Sequence, residues 1–416
     1  MALLHLPTRR EMLVGTGSLF AWAHTPKLAR AEGRDPRVLV IVLRGALDGL
    51  GMVAPVGDPD WVNLRGDRAL VLDGKPAALP LDSFFALNPA MPNLHRLYQA
   101  QQAIIVHATA TPYRERSHFD GQDVLESGLA KPGATDSGWL NRALSSLAAD
   151  GRVDPQGSRA FAVGPVTPLV VRGTAPIMSW SPQRLLPASD DTQMRLLDLY
   201  RHTDAKLARA FEGRRDLATL ARTGGIETMP LREGEAQPNI GRIREYVGNV
   251  ASTAAKYLAQ PNGPRVGAAS FVGWDTHINE GAAGGQLAAL LGALDEAIAA
   301  IEKTMADAWS ETVIAVVTEF GRTARINGTD GTDHGTATVA VLAGGALKGG
   351  RVIADWPGLR PADLHEGRDL KPTIDLRAVL KGVLRDHLRV DEVALATSIF
   401  PRSDDAKPMA GLLVIS

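Results

Sequence analysis

Six short apolar runs, rich in β-branched residues, constrain most strongly what this chain can fold into. The first is 38–43, Val-Leu-Val-Ile-Val-Leu, which lies between Pro36 and Gly45. A continuous apolar run of this length is typical of a strand that is buried on both faces, as in parallel sheets. Runs of the same kind lie at 103–108, 160–163, 266–271, 312–317 and 337–342.

Segments with a helical pattern separate these runs. They lie at 119–126, 138–147, 192–220, 240–258, 285–309 and 373–388. Strands that alternate with helices predict an α/β/α sandwich, with a mostly parallel central sheet and helices on both of its faces. The length of 416 residues and the 45% apolar content allow a large core, in either one large α/β domain or two of average size.

Charged and histidine side chains are concentrated just after the predicted strands. They lie in the segments 43–49, 113–120, 273–277, 318–322 and 332–335. Because ligands of open α/β sheets bind at the carboxyl ends of the strands, this concentration predicts a functional site at that edge.

Two of these segments carry a carboxylate beside an imidazole, in Asp275-x-His277 and in Asp333-His334. Carboxylate oxygens and imidazole nitrogens are ligands for zinc, manganese and iron. Asp48, in a glycine-rich turn, would add another oxygen. Metal ions held in this way activate an oxygen nucleophile and stabilise the attacking and leaving oxygens of phosphoryl or sulfuryl transfer.

Ser117 and three arginines complete the predicted site. Ser117 begins a helical segment, where backbone N–H groups favour an anion, and its hydroxyl would become a nucleophile if a metal lowered its pKa. Arg44, Arg116 and Arg322 could bind the non-bridging oxygens of an anionic substrate.

Each of these features also has a structural interpretation. Asp48-Gly49 is a common turn pair, and Ser117 could be a helix N-cap. Asp333-His334 could cap the loop before the next strand, and Asp275 could cap a turn that leads into a helix. Their shared position at strand ends favours a metal or anion site over these separate interpretations.

The first 31 residues have the features of an export signal. Arg9-Arg10 precedes an apolar stretch at 14–23, which is too short to span a bilayer, and Ala29-Arg30-Ala31 has the small-x-small form of a cleavage site. We interpret residues 1–31 as a twin-arginine signal peptide. This predicts the twin-arginine export machinery as a partner, and a periplasmic or secreted protein with no stable membrane span after cleavage.

The charge balance and the absence of cysteine exclude several functions. Residues 1–31 hold four basic side chains and one acidic side chain, which leaves 41 Lys and Arg against 45 Asp and Glu. This balance argues against a nucleic-acid or anionic-membrane partner. Because the chain has no cysteine, disulfides, thiolate metal sites, a cysteine nucleophile and the cysteine-derived aldehyde of one type of sulfatase are excluded.

A set of short motifs is spread along the chain. They are Arg9-Arg10, 43–50 (Leu-Arg-Gly-Ala-Leu-Asp-Gly-Leu), 112–120 (Pro-Tyr-Arg-Glu-Arg-Ser-His-Phe-Asp), 137–141, 274–277 (Trp-Asp-Thr-His), 318–323, 331–335 and 349–351. In these motifs the chain resembles the bacterial family called domain of unknown function 1501. That family is grouped with the alkaline phosphatase superfamily, so the resemblance implies that residues 32–416 form a single domain, an alkaline-phosphatase-like α/β/α sandwich.

The resemblance also implies roles for individual residues. In the superfamily, an aspartate after the first strand, a Ser or Thr nucleophile and a later Asp-His pair bind one metal. These roles fall on Asp48, Ser117, Asp333 and His334. Asp275 and His277 would bind a second metal. The superfamily's usual further histidine has no matching motif here, so His118 could replace it, or one metal site could be incomplete.

The expected function is therefore that of an exported hydrolase of small anionic phosphate or sulfate esters. It would depend on one or two divalent metal ions, zinc first, with manganese, iron or calcium as alternatives. Glu319 would orient a water or a ligand histidine, and Arg322 would bind the substrate anion. Two alternatives remain open: a non-catalytic periplasmic binding or assembly protein on the same fold, and a metal-free Ser-His-Asp esterase that uses Ser117, His334 and an aspartate.

Overall fold

The computed structural model describes residues 34–133, 135–149, 160–163, 167–180, 200, 240–261 and 263–414. The predicted signal peptide at 1–31 and nearly all of the predicted helix at 192–220 lie outside these residues.

Among the residues that the structure describes there are twelve strands, and nine of them form one central sheet. The strands, in chain order, are β1 Arg37–Arg44, β2 Val53–Ala54, β3 Leu79–Pro80, β4 Ala86–Leu87, β5 Ala103–Ala110, β6 Ala160–Val163, β7 Ile177–Trp180, β8 Val266–Val272, β9 Thr312–Thr318, β10 Thr338–Ala343, β11 Arg351–Ile353 and β12 Ile374–Asp375. Across the central sheet the order is β11-β5-β10-β9-β1-β8-β6-β7, with β12 also paired to β5. The short strands β2, β4 and β3 form a separate antiparallel sheet.

The pairings of the central sheet are parallel except at β10, which runs antiparallel to both β5 and β9. The predicted mostly parallel sheet is therefore confirmed. Because β10 runs in the opposite direction, the residues that precede it lie at the same sheet edge as the residues that follow β1, β8 and β9.

The helices lie between the strands in the alternation that the sequence predicts. They are α1 Gly49–Met52, α2 Trp61–Arg65, α3 Pro92–Gln99, α4 His118–Ser127, α5 Trp139–Ala149, α6 Ile240–Ala259, α7 Gln286–Met305, α8 Leu376–Leu388 and α9 Glu392–Ala394. Short 3₁₀ segments occur at Gly66–Arg68, Leu169–Val171 and Ala306–Glu311, and a π segment at Leu395–Ile399. Within the described residues, no helix combines the length and the apolar character that a membrane crossing requires.

Alternate side chains of β1 pack against helices on opposite faces of the sheet. Leu39, Ile41 and Leu43 belong to one buried cluster, together with residues of α3, α6 and α7. Val38, Val40 and Val42 belong to a second cluster, together with residues of α5 and α8. Burial of each such aliphatic side chain stabilises the fold by about 1.5–3 kcal/mol, so this alternation holds both helical layers on the sheet and confirms the sandwich.

Candidate metal centre

His118, Asp275 and His334 form a group of side chains that could hold a metal ion, at the carboxyl edge of the sheet. One ligand atom of each lies within 4.8 Å of the others. His118 Nε2 is 2.9 Å from His334 Nε2 and 3.5 Å from Asp275 Oδ2. His334 Nε2 is 3.2 Å from Asp275 Oδ1. Two ligands of a tetrahedral zinc ion, each at about 2.0–2.1 Å from it, lie about 3.3 Å apart, so these separations suit a single ion.

His277 adjoins this group. Its Nε2 lies 2.9 Å from Asp275 Oδ1 and 3.0 Å from His334 Nε2. The four side chains of His118, Asp275, His277 and His334 are between 24% and 41% exposed. The group is therefore partly open to solvent.

Three chain segments bring these ligands together. His118 is the first residue of α4, after β5, whereas Asp275 and His277 lie in the loop after β8. His334 precedes β10, and the antiparallel direction of that strand places it at the same edge. The loops touch closely at Gly331, where a Cβ atom would lie 2.3 Å from the backbone carbon and oxygen of His277. The φ of Gly331 is not positive, so its backbone conformation does not require glycine. Glycine is needed there because a side chain would have no space.

Glu319 holds the imidazole of His118 from behind. Its Oε1 lies 2.9 Å from His118 Nδ1 and also accepts hydrogen bonds from Gly45 N (2.8 Å) and Gln122 Nε2 (3.1 Å). Burial acts to raise the pKa of Glu319, but the bond to His118 and the other bonds outweigh it, and the pKa is lowered. An ionised carboxylate only accepts hydrogen bonds, so the proton of neutral His118 is on Nδ1. The bond to Glu319 is also the main reason why the pKa of His118 is raised.

The other two imidazoles are oriented in the same way. His277 Nδ1 lies 3.1 Å from Asp333 Oδ1, and His334 Nδ1 lies 3.0 Å from the backbone oxygen of Arg116. Burial opposes the shift, but hydrogen bonds from Asn327 and His277 lower the pKa of Asp333. Since an ionised carboxylate and a carbonyl can only accept, Nδ1 of both histidines donates.

With each Nδ1 engaged elsewhere, the Nε2 atoms of the three histidines face one another and the Asp275 carboxylate. The pKa of Asp275 is lowered, because hydrogen bonds from His334 and Arg322 outweigh its burial, so this carboxylate is also ionised. Facing nitrogen atoms and a negative charge at these distances repel one another unless a proton or a metal cation lies among them. Imidazoles whose second nitrogen donates to a carboxylate or carbonyl are the usual arrangement at a metal ion.

Arg322 supports Asp275 from within the protein. Its side chain is 0% exposed, its Nη1 donates to Asp275 Oδ1, and its Nε and Nη2 donate to the hydroxyl and carbonyl oxygens of Thr332. The sequence suggested Arg322 as the group that binds the substrate anion. The structure directs its donors to Asp275 and Thr332 instead, so it orients the site.

Asp48 has a different partner from the one that the sequence suggested. Both of its carboxylate oxygens accept hydrogen bonds from Arg65, at 2.7 and 2.8 Å, and both side chains are 2% exposed. Arg65 also donates to the backbone oxygen of Ala324 at 2.7 Å. A carboxylate engaged in this way is a buried ion-pair partner rather than a free metal ligand.

Arg44 and Arg116 are also held by carboxylates. Arg44 donates to Glu126 and to Gln122, and Arg116 donates to Asp369 and Glu366. Asp369 is fully buried, and the Glu126 side chain is 2% exposed. These ion pairs tie the loops around the centre, which is a different role from the substrate clamp that the sequence suggested.

Ser117 lies between two residues that contact the centre. The backbone oxygen of Arg116 accepts from His334, and the imidazole of His118 adjoins it. Ser117 is the residue before α4, yet its side chain does not cap that helix. Among the residues that the structure describes, the Ser117 hydroxyl has no hydrogen-bond partner, which leaves it available for chemistry.

Arg368 is a cation at the centre that sequence patterns did not reveal. Its Nη2 donates to the backbone oxygen of His334 at 2.9 Å, and its side chain is 41% exposed. It also helps to lower the pKa of Asp333. No motif marks Arg368, because its closeness to the centre results from the folding of the 364–370 segment onto the loop before β10.

An α/β/α sandwich with imidazoles and a carboxylate converging at the carboxyl edge of its sheet defines a class of proteins with a candidate metal centre. A family model described as "Protein of unknown function (DUF1501)" matches residues 35–399, and the chain belongs to this family.

Several solved structures are similar in part. The phosphonate monoester hydrolase of Agrobacterium radiobacter is 12% identical, with 76% of this chain and 70% of that chain covered and a TM-score of 0.33. The PsFucS1 sulfatase from Pseudoalteromonas sp. is 14% identical, with 83% and 68% covered and a TM-score of 0.34. An alkaline phosphatase superfamily protein from Vibrio parahaemolyticus is 10% identical, with 85% and 72% covered and a TM-score of 0.36. No curated protein sequence matches the chain.

Proposed function

We propose that this protein is an exported hydrolase of phosphate or sulfate esters that depends on a divalent metal ion. The observation that supports it best is the meeting of the Nε2 atoms of His118, His277 and His334 with the carboxylate of Asp275, while each Nδ1 is engaged elsewhere. Three imidazole nitrogens and one carboxylate that face one another in this way are suited to bind a cation.

His118, Asp275 and His334 would hold the ion, with His277 beside them. Nitrogen donors favour zinc, manganese or iron over calcium, which prefers oxygen ligands alone, so we propose zinc first. Bound there, the ion would act as a Lewis acid and lower the pKa of a hydroxyl or water. We propose one ion, because Arg65 engages the Asp48 carboxylate that a second site would require.

Ser117 and Arg368 supply the remaining chemistry. The free Ser117 hydroxyl, at the N-terminal end of α4, would lose its proton to solvent and attack the phosphorus or sulfur atom of the ester. The bond from that atom to the alcohol oxygen would break and the alcohol would leave with a proton from water. A second water would then hydrolyse the serine ester and release phosphate or sulfate. The half-exposed Arg368 guanidinium would neutralise the non-bridging oxygens of that substrate. Glu319 and Asp333 would keep the proton of His118 and of His277 on Nδ1, so that each Nε2 remains a donor to the ion.

The metal-free esterase has weaker support. A Ser-His-Asp triad needs a carboxylate behind the histidine that acts as the base. His334 Nδ1 bonds to the backbone oxygen of Arg116 instead. A pair of Ser117 and His334 would therefore lack the carboxylate that completes the triad.

Metal content and ester hydrolysis together test the proposal. We expect the exported wild-type protein to contain about one zinc per chain by elemental analysis, and to hydrolyse a phosphate or sulfate monoester in a substrate panel. His334→Ala should lose the metal. Ser117→Ala should keep the metal and lose turnover by more than about 100-fold. His95→Ala, which changes a partly exposed histidine bonded to the Pro80 carbonyl, is the matched control and should behave as wild type.

Two outcomes would contradict parts of this proposal. Wild-type protein that binds no divalent metal would refute the centre itself. Protein that binds zinc but hydrolyses no ester in the panel would instead support the non-catalytic periplasmic binding or assembly protein. Export is tested separately, by the N-terminal sequence of the periplasmic protein and by replacement of Arg9 and Arg10 with lysine, which should block export.

A further inference from the structure

Glu280 is a buried carboxylate that lies between the two loops of the metal centre. Its side chain is 0% exposed. Its Oε1 accepts a hydrogen bond from the Thr276 hydroxyl at 2.8 Å, and its Oε2 accepts one from the Thr332 hydroxyl at 2.7 Å. One carboxylate therefore bridges two loops that are more than fifty residues apart in the chain.

The two threonines are next to metal-binding residues. Thr276 lies between Asp275 and His277, and Thr332 is two residues before His334. A backbone bond from Thr332 N to Thr276 O, at 3.1 Å, joins the same two loops. Movement of either hydroxyl would therefore move a ligand.

The hydrogen bonds form a closed ring. Thr332 accepts from Arg322 Nε at 3.1 Å while it donates to Glu280, and Arg322 in turn donates to Asp275. Thr276, the next residue after Asp275, donates back to Glu280. Because each member restrains its neighbours, the ring fixes the position of the Asp275 carboxylate relative to the loop that carries His334.

The charges around Glu280 show that the carboxylate is kept at a cost. Asp48, in the turn after β1, and Arg65, in α2, both lie near its carboxylate. Arg322 is linked to it indirectly, because Arg322 donates to the Thr332 hydroxyl that donates to Glu280. Burial, and then the charge of Asp48, raise the pKa of Glu280 to about 7, while Arg65 acts against this shift. Burial of an ionisable group costs stability unless hydrogen bonds and opposite charges offset it, and the two threonine hydroxyls and Arg65 supply these for Glu280.

We infer that Glu280 is a positioning residue of the metal centre, which sets the distance between Asp275 and His334 through the hydroxyls of Thr276 and Thr332. This inference rests on the proposed metal centre. Glu280 touches neither an ion nor a substrate, and it acts on metal affinity through the two loops. Removal of a residue that orients metal ligands typically lowers affinity about 10–100-fold.

The test is a zinc titration of the full chain in competition with a chelator of known affinity. Glu280→Gln keeps the size of the side chain, but its amide can accept from only one of the two threonines. We expect zinc affinity about 10–100-fold below that of wild type. Glu296→Gln, on the exposed face of α7, where Glu296 is 54% exposed, should leave the affinity unchanged.

A double-mutant cycle separates positioning from a general loss of stability. Thr332→Val breaks the same ring at a second point, so Glu280→Gln and Thr332→Val together should cost less affinity than the two separate losses combined. Thr276→Val gives a further arm if Glu280→Gln fails to fold. Wild-type affinity in folded Glu280→Gln, or strictly additive losses, would overturn the inference. If wild type itself binds no zinc, the proposed function fails instead.

Discussion

Replacement of Asp48 by asparagine distinguishes a structural ion pair from a metal ligand. The Asp48 and Arg65 side chains are both 2% exposed and share two hydrogen bonds, at 2.7 and 2.8 Å. Loss of one charge from a buried pair costs about 3–5 kcal/mol. Glu280 also faces Arg65 and would keep part of the charge balance, so we expect a cost of about 3 kcal/mol.

This cost can be converted into a melting temperature. Unfolding entropy is about 2.1 cal/mol/K per residue near 60 °C, which for residues 35–399 amounts to about 0.8 kcal/mol/K. Asp48→Asn should therefore lower Tm by about 4 °C. Differential scanning calorimetry of the metal-free protein measures this shift, and calorimetric zinc titration should show the same number of ions per chain as wild type.

Asp330→Asn is the control for this experiment. The Asp330 side chain pairs with Arg68, but the two side chains are 39% and 41% exposed, so breaking the pair should cost no more than about 1 kcal/mol. If Asp48→Asn lost a zinc ion and its Tm fell no further than that of Asp330→Asn, Asp48 would be a ligand and the reasoning from its ion pair would be refuted.

Three further outcomes are expected. Glu319→Gln should lower zinc affinity about 10–100-fold in chelator competition, because the His118 imidazole loses its ionised acceptor; unchanged affinity would contradict this. The pKa of His118 is raised in the fold, so protonation of His118 stabilises the metal-free protein below pH ~6.5, and this stability is lost as pH rises through the folded pKa. The zinc-induced rise in Tm should therefore be larger at pH 8 than at pH 6. Equal rises at the two pH values would count against this reasoning. Gly331→Ala places a Cβ 2.3 Å from the His277 backbone and should lower both Tm, through a cost of about 1–3 kcal/mol, and zinc affinity. Gly248→Ala on α6, with no atom within 4 Å, should do neither.

Much of the fold could be predicted because the buried strands are locally distinctive. The run at 38–43 is continuous and apolar, and it lies within β1, Arg37–Arg44. The direction of β10 could not be predicted, because antiparallel and parallel central strands have the same apolar composition. The predicted helix at 285–309 ends at Met305, where Ala306 has a positive φ and a 3₁₀ segment follows. The two-residue strand Ile374–Asp375 carries too short a pattern to be recognised.

The local motifs of the chain already indicate which side chains could bind a metal ion. Asp275 and His277, like Asp333 and His334, are neighbours in the chain, so their closeness follows from local spacing alone. Which partner each charged side chain takes depends on long-range packing. Glu319 and His118 are 201 residues apart in the chain, but their side chains are hydrogen-bonded in the fold. Other ionised side chains at the same sheet edge are paired with buried side chains instead.

Asp48 shows the reason most clearly. Its carboxylate is chemically as good a metal ligand as that of Asp275, and it follows a strand in the same way. The difference is that α2 packs Arg65 against it with both side chains out of water. In a low-dielectric interior such a pair is strong and excludes other cations, and which side chains become neighbours there depends on the packing of the whole sheet edge.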